Sequence, residues 1–152
     1  MELSNSDRAV LRLVQRDADI TIAELAEQIG VSPSAAQRKL QRLKETRVIQ
    51  RTVALVDTKR VGGSVTLLVE LELERDRPEL LPGLHDWISR TPEVQQAWCL
   101  TGRGDYTLVV VAGSVEHFDE LASDMMTSNP NIRKFTTSVV LKHIKRSLEI
   151  PV

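Results

Sequence analysis

The stretch TGRGDY, residues 101–106, sets two glycines around an arginine and follows them with an acid and a tyrosine. Three chemistries fit those residue types. Gly102 and Gly104 could cradle a phosphate against main-chain N–H groups. Arg103–Gly104–Asp105 matches an adhesion tripeptide. Or the loop could serve a site that its neighbours define. Elsewhere the reactive side chains are dispersed. His85, His117 and His143 fall on different segments, and Cys99, the single cysteine, alternates along an apolar stretch as a small packing residue would. No metal-ligand spacing and no catalytic set is present, so neither a cofactor nor an enzyme is expected.

Bulk properties weaken the adhesion reading. One cysteine in 152 residues cannot form an internal disulfide and fits a reducing compartment. The first ten residues lack the basic and apolar regions of a secretory signal, and no apolar run approaches the ~18 residues of a membrane span. A cytoplasmic protein with no membrane partner is expected. With 41% apolar and 27% charged residues, the composition is that of a globular protein of one domain or two small ones.

A second cluster able to do chemistry is basic. Residues 1–60 carry 11 basic and 8 acidic side chains, net +3, whereas residues 61–152 carry 9 and 13, net −4. Arg38, Lys39, Arg42, Lys44, Arg47, Arg51, Lys59 and Arg60 face only Glu45 and Asp57 within residues 38–60. Such a block suits a polyanion, and equally a solvated helix face.

The elements that must position this block read as three helices. Ser6 or Asp7 caps the first, with Val10, Leu11 and Val14 at helical spacing. Thr21 caps a second, and Gly30 ends it. Ser32 then caps a third, with Pro33 at its first position. Ala36, Leu40 and Leu43 face inward, while Ser34, Arg38 and Gln41 face out with Gln37 and Arg42 on the flanks. Two helices joined through a glycine turn form a helix-turn-helix, whose second helix can enter a major groove. Gln37 suits adenine, Arg38 guanine or phosphate, and Ser32 a phosphate at the helix N-terminus. The expected DNA contacts are Ser32, Ser34, Gln37, Arg38 and Arg42. The same bundle also caps ordinary enzymes, with its arginines merely solvated. RVIQRTVALVD alternates like one or two short strands, either a wing bringing Arg51 to the DNA backbone or a tie to the next domain.

After Gly62–Gly63 the order is strand, helix, strand, strand, helix, strand. Two crossovers on one antiparallel sheet give the split βαβ, ferredoxin-like arrangement. The fold expected is therefore α+β: an N-terminal winged helix-turn-helix (1–50), a strand linker or hinge (51–63) and a βαββαβ domain (64–152). Leu68 and Val110 suggest a sheet face short of charge. This order also removes the phosphate readings of TGRGDY, because a dinucleotide fingerprint or P-loop needs a helix after its glycines and here a strand follows. Asp105 and Tyr106 stand where strand meets loop, either for charged-ligand contacts or, for Asp105, to hold nearby amides.

The pattern D..VL..V..D....IAELAEQIGVSPSAAQRKLQRL, then VI, then PEV....LTGRGDYTL, resembles the Lrp/AsnC (leucine-responsive, feast/famine) transcriptional regulators over nearly the whole chain. The loop matches that family's Gly-x-x-Asp-Tyr motif at Gly102, Asp105 and Tyr106. The resemblance implies a sequence-specific regulator of double-stranded DNA. It also implies a homodimer assembling further to a tetramer or octamer, and an amino-acid effector held near Gly102, Arg103, Gly104, Asp105 and Tyr106, with Thr137 on the last strand. Two departures stand out. The family commonly has glycine where this chain has Arg47, which costs roughly 1 kcal/mol if the left-handed geometry is kept. Arg103 also replaces what is often an acidic or aromatic residue. Haem-pathway decarboxylases resemble the same family and form the enzymatic alternative; a constitutive DNA binder with an empty pocket is a third.

Overall fold

Local side-chain bonds start the three helices of the first unit. In the computed structural model, which describes residues 2–74, 77–102 and 104–152, helix α1 (Asn5–Val14) is capped by Ser4, one turn ahead of Ser6 and Asp7. Ser4 Oγ accepts from the Asp7 N–H, and the Asp7 carboxylate accepts from the Ser4 N–H at 3.0 Å. Asp7 is thus the third helical residue of a capping box. Thr21 and Glu24 repeat the device at α2 (Ile22–Ile29). That helix ends at Gly30, at φ 69°, where the Val31 N–H reaches the Ala26 carbonyl. Only glycine takes this left-handed turn without strain. Ser32 and Pro33 open α3 (Pro33–Glu45), as their types require.

Val10, Leu11, Leu25, Ala26, Ala36 and Leu43 form the buried core of this bundle, with Leu40 against it. The chain divides into two compact units. The first comprises residues 1–55 together with 144–152, so the last nine residues pack with the helices rather than with the sheet segment that precedes them. The second comprises residues 56–143.

The second unit is one antiparallel sheet in the order β2-β3-β1-β4: β1 (Val65–Leu73), β2 (Val94–Cys99), β3 (Tyr106–Ala112) and β4 (Ile132–Val139). Helix α4 (Leu81–Arg90) follows a short 3-10 turn at Pro78–Leu80, and α5 (Val115–Ser128) is capped by Ser114. Leu67, Val69, Leu71, Leu108 and Val110 point to one face and bury Leu84 and Trp87 of α4 with Phe118, Ala122 and Met125 of α5. The Trp87 indole N–H donates to the Asp124 carboxylate at 2.7 Å, tying the two helices.

Two expectations change here. Val110 pairs with Leu67 and is buried, so it belongs to the helix face; its neighbour Val109, paired with Leu68, lies on the open one. RVIQRTVALVD forms no strand within the single chain, and Val53, Leu55 and Val56 are exposed. Its alternation is real, but a strand needs a ladder partner and none of the described residues supplies one.

Arg47 keeps the family's left-handed geometry, at φ 60°, and the Ile49 N–H reaches back to the Leu43 carbonyl. An L-residue is strained there. We expect Arg47→Gly to stabilise the first unit by about 0.5–1 kcal/mol after allowance for glycine's freer unfolded chain. Thermal unfolding should show this as a rise of ~2–4 °C.

Candidate DNA-reading helix and effector loop

Position of the reading helix rests on a buried acid. Asp7 is 1% exposed, yet its carboxylate serves three partners at once. Oδ2 accepts from Ser4 Oγ at 2.7 Å and pairs with Arg42 Nη2 at 2.6 Å, and Lys39 Nζ lies 3.6 Å from Oδ1. Burial works against the ionised form. The bonds from the Ser4 hydroxyl, the Arg42 guanidinium and the Ser4 amide outweigh it and hold the Asp7 carboxyl well below the usual carboxylate range. The start of α1 is thereby bonded to the middle of α3.

This arrangement sorts the expected DNA contacts. Arg42 spends its guanidinium on Asp7 and so aims the helix. Ser32 Oγ accepts the Ala35 N–H at 3.3 Å and lies 3.2 Å from Ser34 Oγ, so both hydroxyls already serve the helix start. Gln41 donates to Glu45 at 2.8 Å. Gln37 and Arg38 are exposed with no hydrogen bond or ion pair among the described residues, and Arg51 is exposed in irregular chain. The sequence offers Asp7 only as a candidate cap; its pairing with Arg42 is what sequence reasoning missed. Ser4-x-x-Asp7 carries the capping pattern, but the pairing with Arg42 spans 35 positions and has no local signature.

At the other site, the loop 100–105 joins β2 to β3, closed by the Leu100 N–H bonding to the Asp105 carbonyl at 2.8 Å. Asp105 does more than end the loop. Its N–H donates to the Leu71 carbonyl at 2.8 Å and its Oδ2 accepts the Leu73 N–H at 2.7 Å. Beyond the last β1–β3 pair, Leu71 with Tyr106, the aspartate therefore continues the ladder where β1 shifts register against β4. Among the described residues its carboxylate holds an amide of the neighbouring strand, that of Leu73, and none of its own loop.

Gly104 lies against that strand. A Cβ there would meet the Leu71 carbonyl oxygen at 3.4 Å and Glu70 Cβ at 3.9 Å, and Gly102 takes φ 145°. Arg103 lies outside the described residues. Tyr106 turns to the helix face, its hydroxyl 2.7 Å from His85 Nε2 on α4 with the rings 5.6 Å apart. Burial, with the Cys99 thiol and the Asp105 charge adding to it, pushes the Tyr106 phenol above its ordinary value, so it stays neutral. Thr137 pairs with Val69 and shares that face; its Oγ1 is buried without a hydrogen-bond partner. Asn131, before β4, is likewise buried with both side-chain polar atoms unpartnered, while its carbonyl accepts the Glu74 N–H.

Comparison with known proteins decides what this pairing of a reading head and a βαββαβ unit is. A family model of the Lrp/AsnC ligand-binding domain matches residues 66–150, and one of a winged helix-turn-helix DNA-binding domain matches residues 3–50. The chain belongs to the Lrp/AsnC family. It is 36% identical to an uncharacterised HTH-type transcriptional regulator, y4tD, of Sinorhizobium fredii, covering 100% of this chain and 90% of the relative. Identity to the transcriptional regulator AzlB of Bacillus subtilis is 34%, over 99% and 96% of the two chains. Among solved structures, an AsnC family regulator from Agrobacterium tumefaciens superposes with a TM-score of 0.91 at 30% identity, covering 98% and 97%. The regulator NMB0573 of Neisseria meningitidis, solved in complex with L-Met, shares the fold with a TM-score of 0.92 at 24% identity, covering 99% and 97%. This Lrp/AsnC protein is thus a DNA-binding transcriptional regulator with a ligand-binding domain, and the decarboxylase alternative falls away. Among the described residues no helix is long and apolar enough to cross a membrane.

Because the folded pKa of Asp7 is depressed, its stabilising effect is complete above the unfolded value of ~4 and is lost as pH falls through that value toward the folded one. Denaturant titration should show the first unit weakening on acidification below about pH 4. Asp7→Ala should cost about 2–4 kcal/mol at neutral pH, since it removes a cap and leaves its cationic partners unpaired. Arg42 is 46% exposed, so Arg42→Ala should cost less than Asp7→Ala.

Proposed function

We propose that this regulator reads DNA through Gln37 and Arg38, with Ser34 and the α3 N-terminus at Ser32 against the backbone and Arg51 reaching an adjacent phosphate. The uncommitted side chains of Gln37 and Arg38 carry this reading. Both are exposed on the one helix that Asp7 fixes, whereas Arg42 acts by aiming it. Arg38→Ala should lower specific affinity by ~1–3 kcal/mol if Arg38 pairs with a base. If Arg38 meets phosphate, the salt slope should fall by ~0.9 with sequence preference intact. Unchanged binding by folded Arg38→Ala would reject both.

The ligand is proposed to be an amino acid seated at the 101–106 loop, with loop main-chain N–H groups facing its carboxylate and Arg103 near it. The L-Met complex of the Neisseria protein supports the ligand class, and Thr137, whose buried hydroxyl has no hydrogen-bond partner among the described residues, is the contact proposed on the last strand. Asp105 and Tyr106 then shape the site through Leu73 and His85 rather than by direct contact. A melting screen with millimolar amino acids should find one or a few that raise the midpoint by ~2–4 °C, the effect of a ligand at a hundredfold excess over Kd. Gly104→Val should abolish the shift. Asp105→Ala should lower the midpoint even without ligand, having orphaned the Leu73 amide, so its shift must be read against its own baseline. Silence for every amino acid would favour a constitutive binder.

Assembly follows from uncovered surface. Opposite the helices the sheet presents Leu68 and Trp98, 40% and 47% exposed, beside Val109 and Val111. A second copy laid on that face, with the stretch 51–56 of each chain, which forms no strand among the described residues, finding a ladder partner, gives the dimer; tetramer or octamer formation extends it. The cytoplasm, where DNA is accessible, is the compartment proposed. Leu68→Glu should reduce the sedimentation coefficient of the full chain to that of a monomer at micromolar concentration. An unaltered oligomer would move the interface elsewhere.

A further inference from the structure

The last nine residues dock on the first helix in a way that reads main chain rather than side chains. Gln15, which caps α1, accepts the Ile150 N–H on its Oε1 at 2.8 Å, and its Nε2 donates to the Ile150 carbonyl at 3.2 Å. One side-chain amide thus satisfies both polar groups of a single residue, as a neighbouring strand would. Three and four positions apart on the same helix face, Arg12 and Arg16 complete the seat. Arg12 Nη1 donates to the Val152 main-chain oxygen at 2.8 Å, and Arg16 Nε lies 2.9 Å from Glu149 Oε1. Val152 packs against the helical core while Leu148 and Ile150 remain exposed. Neither DNA contact nor effector binding as described above uses any of these residues.

Connectivity gives the docking a consequence. Val140, directly after β4, is bonded to the Thr66 carbonyl in the second unit, and Glu149 is bonded to α1 in the first. The eight residues between them span at most ~28 Å. The reading head is therefore held by two chain segments, 51–63 and 141–148, and a body on two tethers loses most of the swivel allowed by one. We propose that residues 149–152 are a releasable clamp that restricts the head, linking the end of β4, the strand that carries Thr137, to the helix whose Asp7 aims α3. Undocking the clamp lets the head reorient, and DNA binding must then order it again.

Hydrogen exchange on the full-length protein, followed by binding to a random-sequence duplex, tests this. In the wild type the Ile150 amide should be protected. Gln15→Ala, an uncharged change at a helix end, should speed its exchange roughly tenfold, the worth of one or two net hydrogen bonds. The same change should weaken duplex binding by about three- to tenfold. Glu149→Arg should also release the tail, and adding Arg16→Glu should restore protection by reversing the pair. An Ile150 amide that exchanges at the unstructured rate in the wild type would overturn the clamp. Faster exchange with unchanged duplex affinity would overturn its role in DNA reading. The clamp rests on the DNA-binding reading only for that second measurement: a wild type that ignores duplex DNA would defeat the reading, while exchange would still report the docking.

Discussion

An ionised carboxylate out of water must be surrounded by donors, and the reading head is organised around that requirement. Asp7 cannot be buried alone. Its hydroxyl, amide, guanidinium and ammonium partners come from two different helices, so satisfying the charge fixes where α3 lies relative to α1. Hydrophobic burial of Val10, Leu25 and Leu43 drives the bundle together but is not directional. The ion cluster supplies direction: it sets the rotation of α3, and with it which of its side chains look outward. Arg42 is then tied to Asp7, while Gln37 and Arg38 have no hydrogen bond or ion pair among the described residues.

The second unit solves a similar problem at the end of its sheet. Where β1 shifts register against β4, the Leu73 amide would lose its place in the ladder, and Asp105 takes up that amide while its own N–H bonds to Leu71. An aspartate followed by a tyrosine there is first a splice between strands. The tyrosine hydroxyl reaches His85, fastening the same corner to α4. The loop between β2 and β3 is thereby built on a corner held in three directions, a rigid support of the kind that precise recognition requires.

Much of this was legible in the chain. Cap residues, apolar spacing and the glycine at position 30 placed the three helices, because helix signals are local. Alternation placed β1 and β3, but not the face of Val110, since a run of consecutive apolar residues, Leu108 to Val111, has no unique period. The first helix began a turn earlier than Ser6 because its cap depends on a reciprocal bond with Asp7. Stretch 47–57 read as strand, but none of the described residues of the single chain gives it a ladder partner. What stayed hidden was long-range: Asp7 with Arg42, Asp105 with Leu73, Gln15 with Ile150. Each joins residues whose spacing carries no period, and only the fold brings them together.

The rims of the sheet differ from its open face. On β4, an outer strand, Arg133 and Lys134 both pair with Glu72, and a register shift lies beside them. On β2, the opposite outer strand, the register slips between Val94 and Gln96. Charge and irregularity of this kind discourage a further strand from adding at either side. The sheet is thus guarded against growing wider and left free to grow thicker.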